Sequence, residues 1–540
     1  MPIFTLLSFF FCTAFVAFLT WRITKGEDVQ SRNGYYLAGR SLTFPVIAGS
    51  LLLTNLSTEQ LVGLNGDGFL FGLSVMVWEV AAVVALVIMG LFFLPRFLKS
   101  GITTIPELLE LRFDQGTQVI CNLIFLLAYA TILLPIVLYT GASGLAGILD
   151  LPALTGIQNQ TVILWLSVWF VGCIGSMYAL FGGLRSVAVS DTLNSIGLLS
   201  GGFLITLFGL SAIGDGDGIW AGLQLLGENI PERLNSIGGP KDPVPFSNIF
   251  TGVIIINVFY WCTNQQIIQR TFAAKNLAEG QKGIFLTGLL KLLGPMYLVL
   301  PGIMAYYLFV YRGNETNLAA VDAYGKLVRT VLPAPLAGFF AAVMVGAILS
   351  SFNSVLNSTC TLFSLGIYKN LWKKEASEIE MVKSGKYFGL IIAIISMCVA
   401  PLLASQKSIF GYLQTMNGLY SIPICAVVFI ALLTKKVPPL AAKVALLGGV
   451  LSIGGSYLFF PELVKQLGGY YHFLGIMFVF WIVVMLFIRL VKPMPQAWVQ
   501  KNSNAVDLTP WKYAWPAGIT LLILVMLVYG LFADFSVLAG

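Results

Sequence analysis

Long apolar runs separated by short polar stretches dominate the chain. A helix needs roughly 20 apolar residues to cross a bilayer. Runs of that kind fall at 2–22, 43–62, 69–95, 117–148, 161–180, 186–213, 247–269, 284–310, 336–368, 386–404, 408–434, 441–460, 471–489 and 515–536. The pattern predicts an all-α polytopic membrane protein of about fourteen transmembrane helices. A β-barrel would show short alternating strands instead. The first run lacks a basic leading segment and is read as a retained helix rather than a signal peptide.

Composition points the same way. Of 540 residues, 57% are hydrophobic and only 10% are charged, against about 25% charged in soluble domains. So few charges cannot coat a water-soluble fold, so soluble enzymes, nucleic-acid binders and disordered chains are excluded. The net charge of +7 does not restore a nucleic-acid partner, because cytoplasmic loops of membrane proteins collect Lys and Arg. Basic residues crowd into alternate loops, most densely between Lys369 and Lys386. The intervening loops hold only Arg233, Lys241, Arg312, Lys326, Arg329, Lys407 and Lys465. The crowded set belongs in the cytoplasm, which leaves both termini outside. The spans 43–62 and 247–269 then cross in opposite senses, five helices apart. Inverted five-helix units of this kind characterise secondary transporters.

The seven cysteines lie in apolar stretches without CxxC spacing and read as small buried hydrophobes. The single His472, at a loop edge, excludes a histidine-built metal site or catalytic dyad. No Walker A pattern is present, so ATP is not an expected partner. Gly214–Gly218 reads as a turn rather than a calcium loop.

Polar residues inside apolar runs carry the functional signal. Glu79, Asp191 and Lys291 are ionisable groups within spans, and Lys291 is the one basic residue expected to be buried there. Glu79 and Lys291 are open to two readings: a structural ion pair, or two walls of a polar cavity suited to the hydroxyls of a neutral polyol. The cluster Thr54, Asn55, Ser57, Thr58, Glu59 and Gln60 either ends an ordinary helix or unwinds one, freeing carbonyls for a cation. Asn257, Tyr260, Trp261 and Asn264 share one helical face, as interhelical packing or as an aromatic and amide wall for a sugar. Ser350, Ser354, Asn357 and Ser358 form a polar stripe. It suits close helix packing, and equally the oxygen ligands of a small hard cation.

Several of these segments, in order, are similar to the sodium:solute symporter family and, within it, to the sodium/sugar cotransporters of the bacterial galactose/glucose type. They are Tyr35-Tyr-Leu-Ala-Gly-Arg-Ser-Leu, Asn55-Leu-Ser-Thr-Glu-Gln60, Phe181-Gly-Gly-Leu with Asp191, Tyr260-Trp261 with Asn264-Gln265, Gln281-Lys-Gly-Ile with Lys291, Leu300-Pro-Gly-Ile and Ser350-Ser-Phe-Asn-Ser. The resemblance implies a LeuT-type core of two inverted five-helix repeats, 43–213 and 247–434. One helix (2–22) would precede the core and three (441–536) would follow it. It implies sodium as the co-transported ion, a neutral sugar as substrate, no enzymatic activity, and a plasma (bacterial inner) membrane location. Sugar-contacting residues carry over to Asn55, Gln60, Glu79, Asn257, Lys291 and Gln414. An inner gate carries over to Tyr260, and an outer gate to Leu64, Trp78 and Phe410. The sodium ligands fall on Leu53, Leu56, Ala347, Ser350 and Ser351, with Asp191 on the cytoplasmic sodium path. Leu64, Trp78 and Ala82 depart in type from the galactose relatives. Asn353 stands where two-sodium relatives carry a serine.

Overall fold

The computed structural model describes residues 2–26, 31–57, 59–149, 151–240, 242–405 and 409–539. Thr58 and the loop residues Lys241 and Lys407 lie outside the described residues. Within that set, twelve helices are long and apolar enough to cross a membrane. Two of the expected spans, 43–62 and 247–269, are not among the twelve. They appear as shorter apolar helices, Phe44–Asn55 and Gly252–Cys262, each followed by a break. No sheet forms among the described residues; two isolated bridges, Leu42 with Ala274 and Asn276 with Asp507, are the β-type contacts.

Burial sorts the helices into a centre and a lipid-facing shell. The helix α1 (Pro2–Thr24) exposes Phe4, Phe10, Phe11, Phe15, Phe18 and Trp21. Aromatic surface on that scale is stable only against lipid. By contrast, 89% of the most apolar window of Ala334–Trp372 is buried, against 22% for Gly469–Val491 and for Ala514–Leu531. The centre is therefore built from helices within 44–433, and the C-terminal helices pack outside it.

The site-building elements are α2 (Phe44–Asn55), α3 (59–71), α4 (72–100), α5 (Gly183–Ile213), α6 (Gly252–Cys262), α7 (Gln265–Phe272), α8 (Leu277–Leu292), α9 (Ala334–Trp372), α10 (Ile409–Leu433) and α11 (Gly469–Val491). α2 stops at Asn55 because Leu56 leaves helical geometry (φ −76°, ψ 55°). The chain resumes at Glu59 once the Ser57 carbonyl has accepted the N–H groups of Gln60 and Leu61 at 3.0 Å. α6 stops at Cys262, where Thr263 Oγ1 donates back to the Phe259 carbonyl at 3.0 Å. Short hydroxyl side chains that bond their own backbone compete with the helix in this way. The start of α2 and the end of α7 are joined: Leu42 N–H donates to Ala273 O and Lys275 N–H to Leu42 O, both at 3.0 Å. The segment 492–513 crosses the same end, where Ser503 N–H donates to Lys99 O at 2.8 Å and Leu277 N–H to Asp507 O at 3.0 Å.

Two further bends lie within apolar stretches. Helix 160–182 runs directly into α5 through Gly183 (φ 65°, ψ 178°). α3 meets α4 at Gly72, whose φ of 80° and ψ of −154° are accessible essentially to glycine alone. A Cβ at Gly72 would also lie 2.6 Å from the Arg233 carbonyl oxygen. Gly72→Ala is therefore expected to destabilise the protein by about 1–3 kcal/mol, seen as a lowered thermal midpoint in detergent. An unchanged midpoint would show that the α3–α4 corner tolerates a side chain.

Candidate functional site

The break after Asn55 and the last turns of α6 border one cavity of about 40 Å³. Asn55, Glu59 and Gln60 line it from the α2–α3 break, Trp78, Glu79 and Ala82 from α4, and Asn257, Tyr260 and Trp261 from α6. Lys291 enters from α8, and Phe410, Gln414 and Asn417 from α10. The structure thus gathers Asn55, Gln60, Glu79, Asn257, Lys291 and Gln414 around one space, though they span most of the core in sequence.

At its centre, Lys291 Nζ lies 2.5 Å from Glu79 Oε2, both side chains fully buried. The ammonium also donates to Asn55 Oδ1 and sits 5.6 Å from the centre of the Trp261 ring. Glu79 Oε1 has no hydrogen-bond partner. Gly294, one turn beyond Lys291, makes room for this carboxylate: a Cβ there would lie 2.5 Å from Oε2. The amides are oriented from behind. Asn257 Nδ2 donates to the Val253 carbonyl at 3.0 Å, leaving its oxygen for the cavity. Tyr420 donates to Asn417 Oδ1 at 2.9 Å, and Asn417 Nδ2 donates to Gln414 Oε1 at 3.3 Å, leaving the Gln414 NH₂ group to face inward. Asn417 and Tyr420 were not singled out from the sequence; their signal was polar groups at i, i+3 and i+6 with Gln414 on an apolar helix.

Aromatic rings bound the cavity. Tyr260 meets Trp261 edge-on at 5.4 Å. Trp78 packs edge-on against Phe410 at 5.8 Å and against Tyr471 of α11 at 5.4 Å. A second cavity, lined by Asp67, Thr415, Tyr470 and Tyr471, shares Trp78 and Phe410 with the first, so this pair forms the partition between them. Leu64 is buried in the first turns of α3 but does not line either space. Asn264 also departs from expectation. The helical face carrying Asn257, Tyr260 and Trp261 ends at Cys262, and Asn264 beyond the break accepts from Tyr129 at 2.5 Å instead of facing the cavity.

Beside the cavity, α9 runs against the end of α2. Leu53 and Leu56 flank the last turn of α2, and Ala347, Ser350 and Ser351 face it from α9, all five buried. Ser351 Oγ donates to the Thr54 carbonyl at 3.2 Å. The buried Ser350 hydroxyl, next to Asp191, has no hydrogen bond of good geometry. Carbonyls and hydroxyls are the ligand types a small hard cation takes.

Asp191 corrects the expectation that Lys291 is the single buried base. Arg270 Nη2 lies 3.4 Å from Asp191 Oδ2, with the two side chains only 1% and 2% exposed. Arg270 Nε donates to Ser50 Oγ at 2.7 Å, Ser50 donates to Asp191 Oδ2 at 2.7 Å, and Arg270 also donates to Ser354. Arg270 lies one residue beyond the expected span 247–269, at a position where an unbroken helix would leave the membrane. The break after Cys262 instead leaves α7 wholly buried. Arg112 is buried too: its guanidinium donates to the carbonyls of Ala431, Thr434 and Val437 and so caps the end of α10. His472 is likewise not at a loop edge; it lies in the first turn of α11 and hydrogen-bonds Ser247 and Thr251 at 3.0 Å.

A multi-pass helical bundle with two interrupted helices around a buried polar cavity defines a membrane transporter. Residues 35–451 match the sodium:solute symporter family. The chain is 45% identical to the uncharacterized symporter YidK of Escherichia coli, over 98% of this chain and 91% of that protein. It is 33% identical to the sodium/glucose cotransporter of Vibrio parahaemolyticus, over 80% of each. It shares the fold of a sodium-coupled sialic acid symporter in its substrate-bound outward-open state, with a TM-score of 0.75 at 19% identity, covering 92% of this chain and 99% of that one. The chain belongs to the sodium:solute symporter family, whose members are transporters and not enzymes.

Removing Lys291 would leave Glu79 buried and unpaired, at a cost of about 3–5 kcal/mol. Lys291→Ala is expected to lower the thermal midpoint and to reduce solute uptake by on the order of 100-fold or more. Gly294→Ala, which pushes the carboxylate aside without changing any charge, is expected to reduce uptake in the same assay. Uptake at the level of the unmodified protein in Lys291→Ala would refute the central role of the pair.

Proposed function

We propose that the protein imports a neutral polyol, a hexose such as galactose or glucose, together with sodium. The observation that carries this reading is the charge balance of the cavity. Lys291 is already paired with Glu79 and bonded to Asn55, so no free cation in the lining awaits an acidic solute, whereas amides and carboxylate oxygens suit hydroxyls. Asn55, Gln60, Glu79, Asn257, Lys291 and Gln414 would hold the sugar. Tyr260 closes the inner side, and Trp78 with Phe410 the outer; Leu64 contributes from behind.

Sodium would bind between α2 and α9, at the carbonyls of Leu53, Leu56 and Ala347 and the hydroxyls of Ser350 and Ser351, and leave past Asp191. On this reading 43–213 and 247–434 are inverted repeats that rock against each other, both termini lie outside, and the host membrane is a bacterial inner membrane. Sodium can drive the cycle only through different affinities for the outward and inward states. One charge crossing 100 mV supplies about 2.3 kcal/mol, and a tenfold sodium gradient adds about 1.4 kcal/mol. Together these sustain roughly 500-fold accumulation at one sodium per sugar.

The test is uptake into proteoliposomes across a panel of radiolabelled hexoses, pentoses, inositol and sialic acid, with sodium or choline outside. Sodium-dependent uptake of a neutral sugar is expected. Uptake that is unchanged in choline would sink the symporter reading, and preferential transport of sialic acid would overturn the polyol assignment. Ser351→Ala is expected to raise the half-saturating sodium concentration several-fold while leaving sugar selectivity unchanged. Unaltered sodium dependence would remove Ser351 from the ion site.

A further inference from the structure

Glu59 stands apart from the paired charges of the core. It opens α3 at the helix break, its side chain is 6% exposed, and it lines the cavity. Its Oε2 has no hydrogen-bond partner, and no basic group pairs with it among the described residues. Glu79, on the neighbouring wall, has Lys291; Glu59 has only its own backbone N–H and the positive end of the helix that it begins. Two acidic side chains therefore share the cavity with a single ammonium. The next residue, Gln60, also leaves its Oε1 buried and without a partner. Two adjacent side chains thus present bare acceptors to one space, opposite the NH₂ group of Gln414. A buried acceptor left empty costs about 1–3 kcal/mol, more when charged, so this wall is matched by a ligand that brings donors.

We propose that Glu59 is a substrate-binding residue. With Gln60 it accepts hydrogen bonds from two neighbouring hydroxyls of the solute. The inference rests on the neutral-polyol reading above and names the groups that its substrate must carry: a vicinal diol.

The test uses Glu59→Gln, which keeps the shape and replaces the carboxyl group by an amide, in sodium-driven proteoliposome uptake. The half-saturating sugar concentration is expected to rise on the order of 10–100-fold. Deoxy analogues of the transported sugar supply the decisive comparison. Deleting one of the two contacted hydroxyls should weaken uptake by the unmodified protein by on the order of tenfold and cause little further loss in Glu59→Gln. If Glu59→Gln does not fold, the deoxy series on the unmodified protein, together with Glu59→Asp, carries the test. An unaltered half-saturation in Glu59→Gln, or fully additive losses for every deoxy analogue, would overturn the assignment and leave the symporter reading standing. An unmodified protein that moves no neutral sugar under a sodium gradient would overturn both.

Discussion

Backbone N–H and C=O groups have no water to turn to inside a membrane bundle, and this constraint shapes the centre of the protein. An unbroken helix satisfies them all and offers a ligand nothing. The chain departs from that solution at two central points, after Asn55 and after Cys262. At each point local side chains and main-chain groups take up part of the freed bonding, through Ser57 in one case and Thr263 in the other. Asn55, Glu59 and Gln60 at the first break and Asn257 ahead of the second face one cavity, and the hydrogen bonds between Leu42 and residues 273–275 tie the two broken helices together at one end. The Glu79–Lys291 pair, the amides and the buried serines of α9 lie close to the first of those interruptions.

Buried charge in this bundle is organised as local pairs with added hydrogen bonds. Lys291 is shared between Glu79 and Asn55, and Arg270 between Asp191, Ser50 and Ser354. Desolvating two charges costs more than their attraction returns unless the remaining donors and acceptors are filled. Both pairs meet that condition in part, and both tie together helices that are distant in sequence. Such contacts are strong enough to hold one arrangement of helices and, being polar, can be exchanged for water or a ligand in another. Arg112, held by three carbonyls, and Glu59 depart from this pattern, and of these two Glu59 lies in the cavity.

Much of this was legible before the fold. Glu79, Asp191 and Lys291 are conspicuous because ionisable groups inside apolar runs are costly and rare. The helix break after Asn55 could be read from its crowd of short polar side chains. Arg270 and Arg112 were not legible. A basic residue near the end of an apolar run looks like a loop residue, and nothing local shows that a break upstream has pulled the helix inward or that three carbonyls wait at the end of α10. Asn264 was misplaced for the same reason, since a face extrapolated at 3.6 residues per turn continues across a break that the chain does not honour.

The sequence by itself determined what depends on composition and local pattern: a lipid-facing shell, the approximate places of its spans, the positions of three of the costly intramembrane charges, and family membership. Tertiary structure alone decided partnership. Whether Glu79 meets Lys291, whether Arg270 meets Asp191, and whether Gln414 shows the cavity its nitrogen or its oxygen all depend on packing between helices that lie up to hundreds of residues apart. No local periodicity encodes those distances. They follow from filling a dry interior in which an unmatched buried polar group is costly, and the acceptors of Glu59 and Gln60 are among those left unmatched.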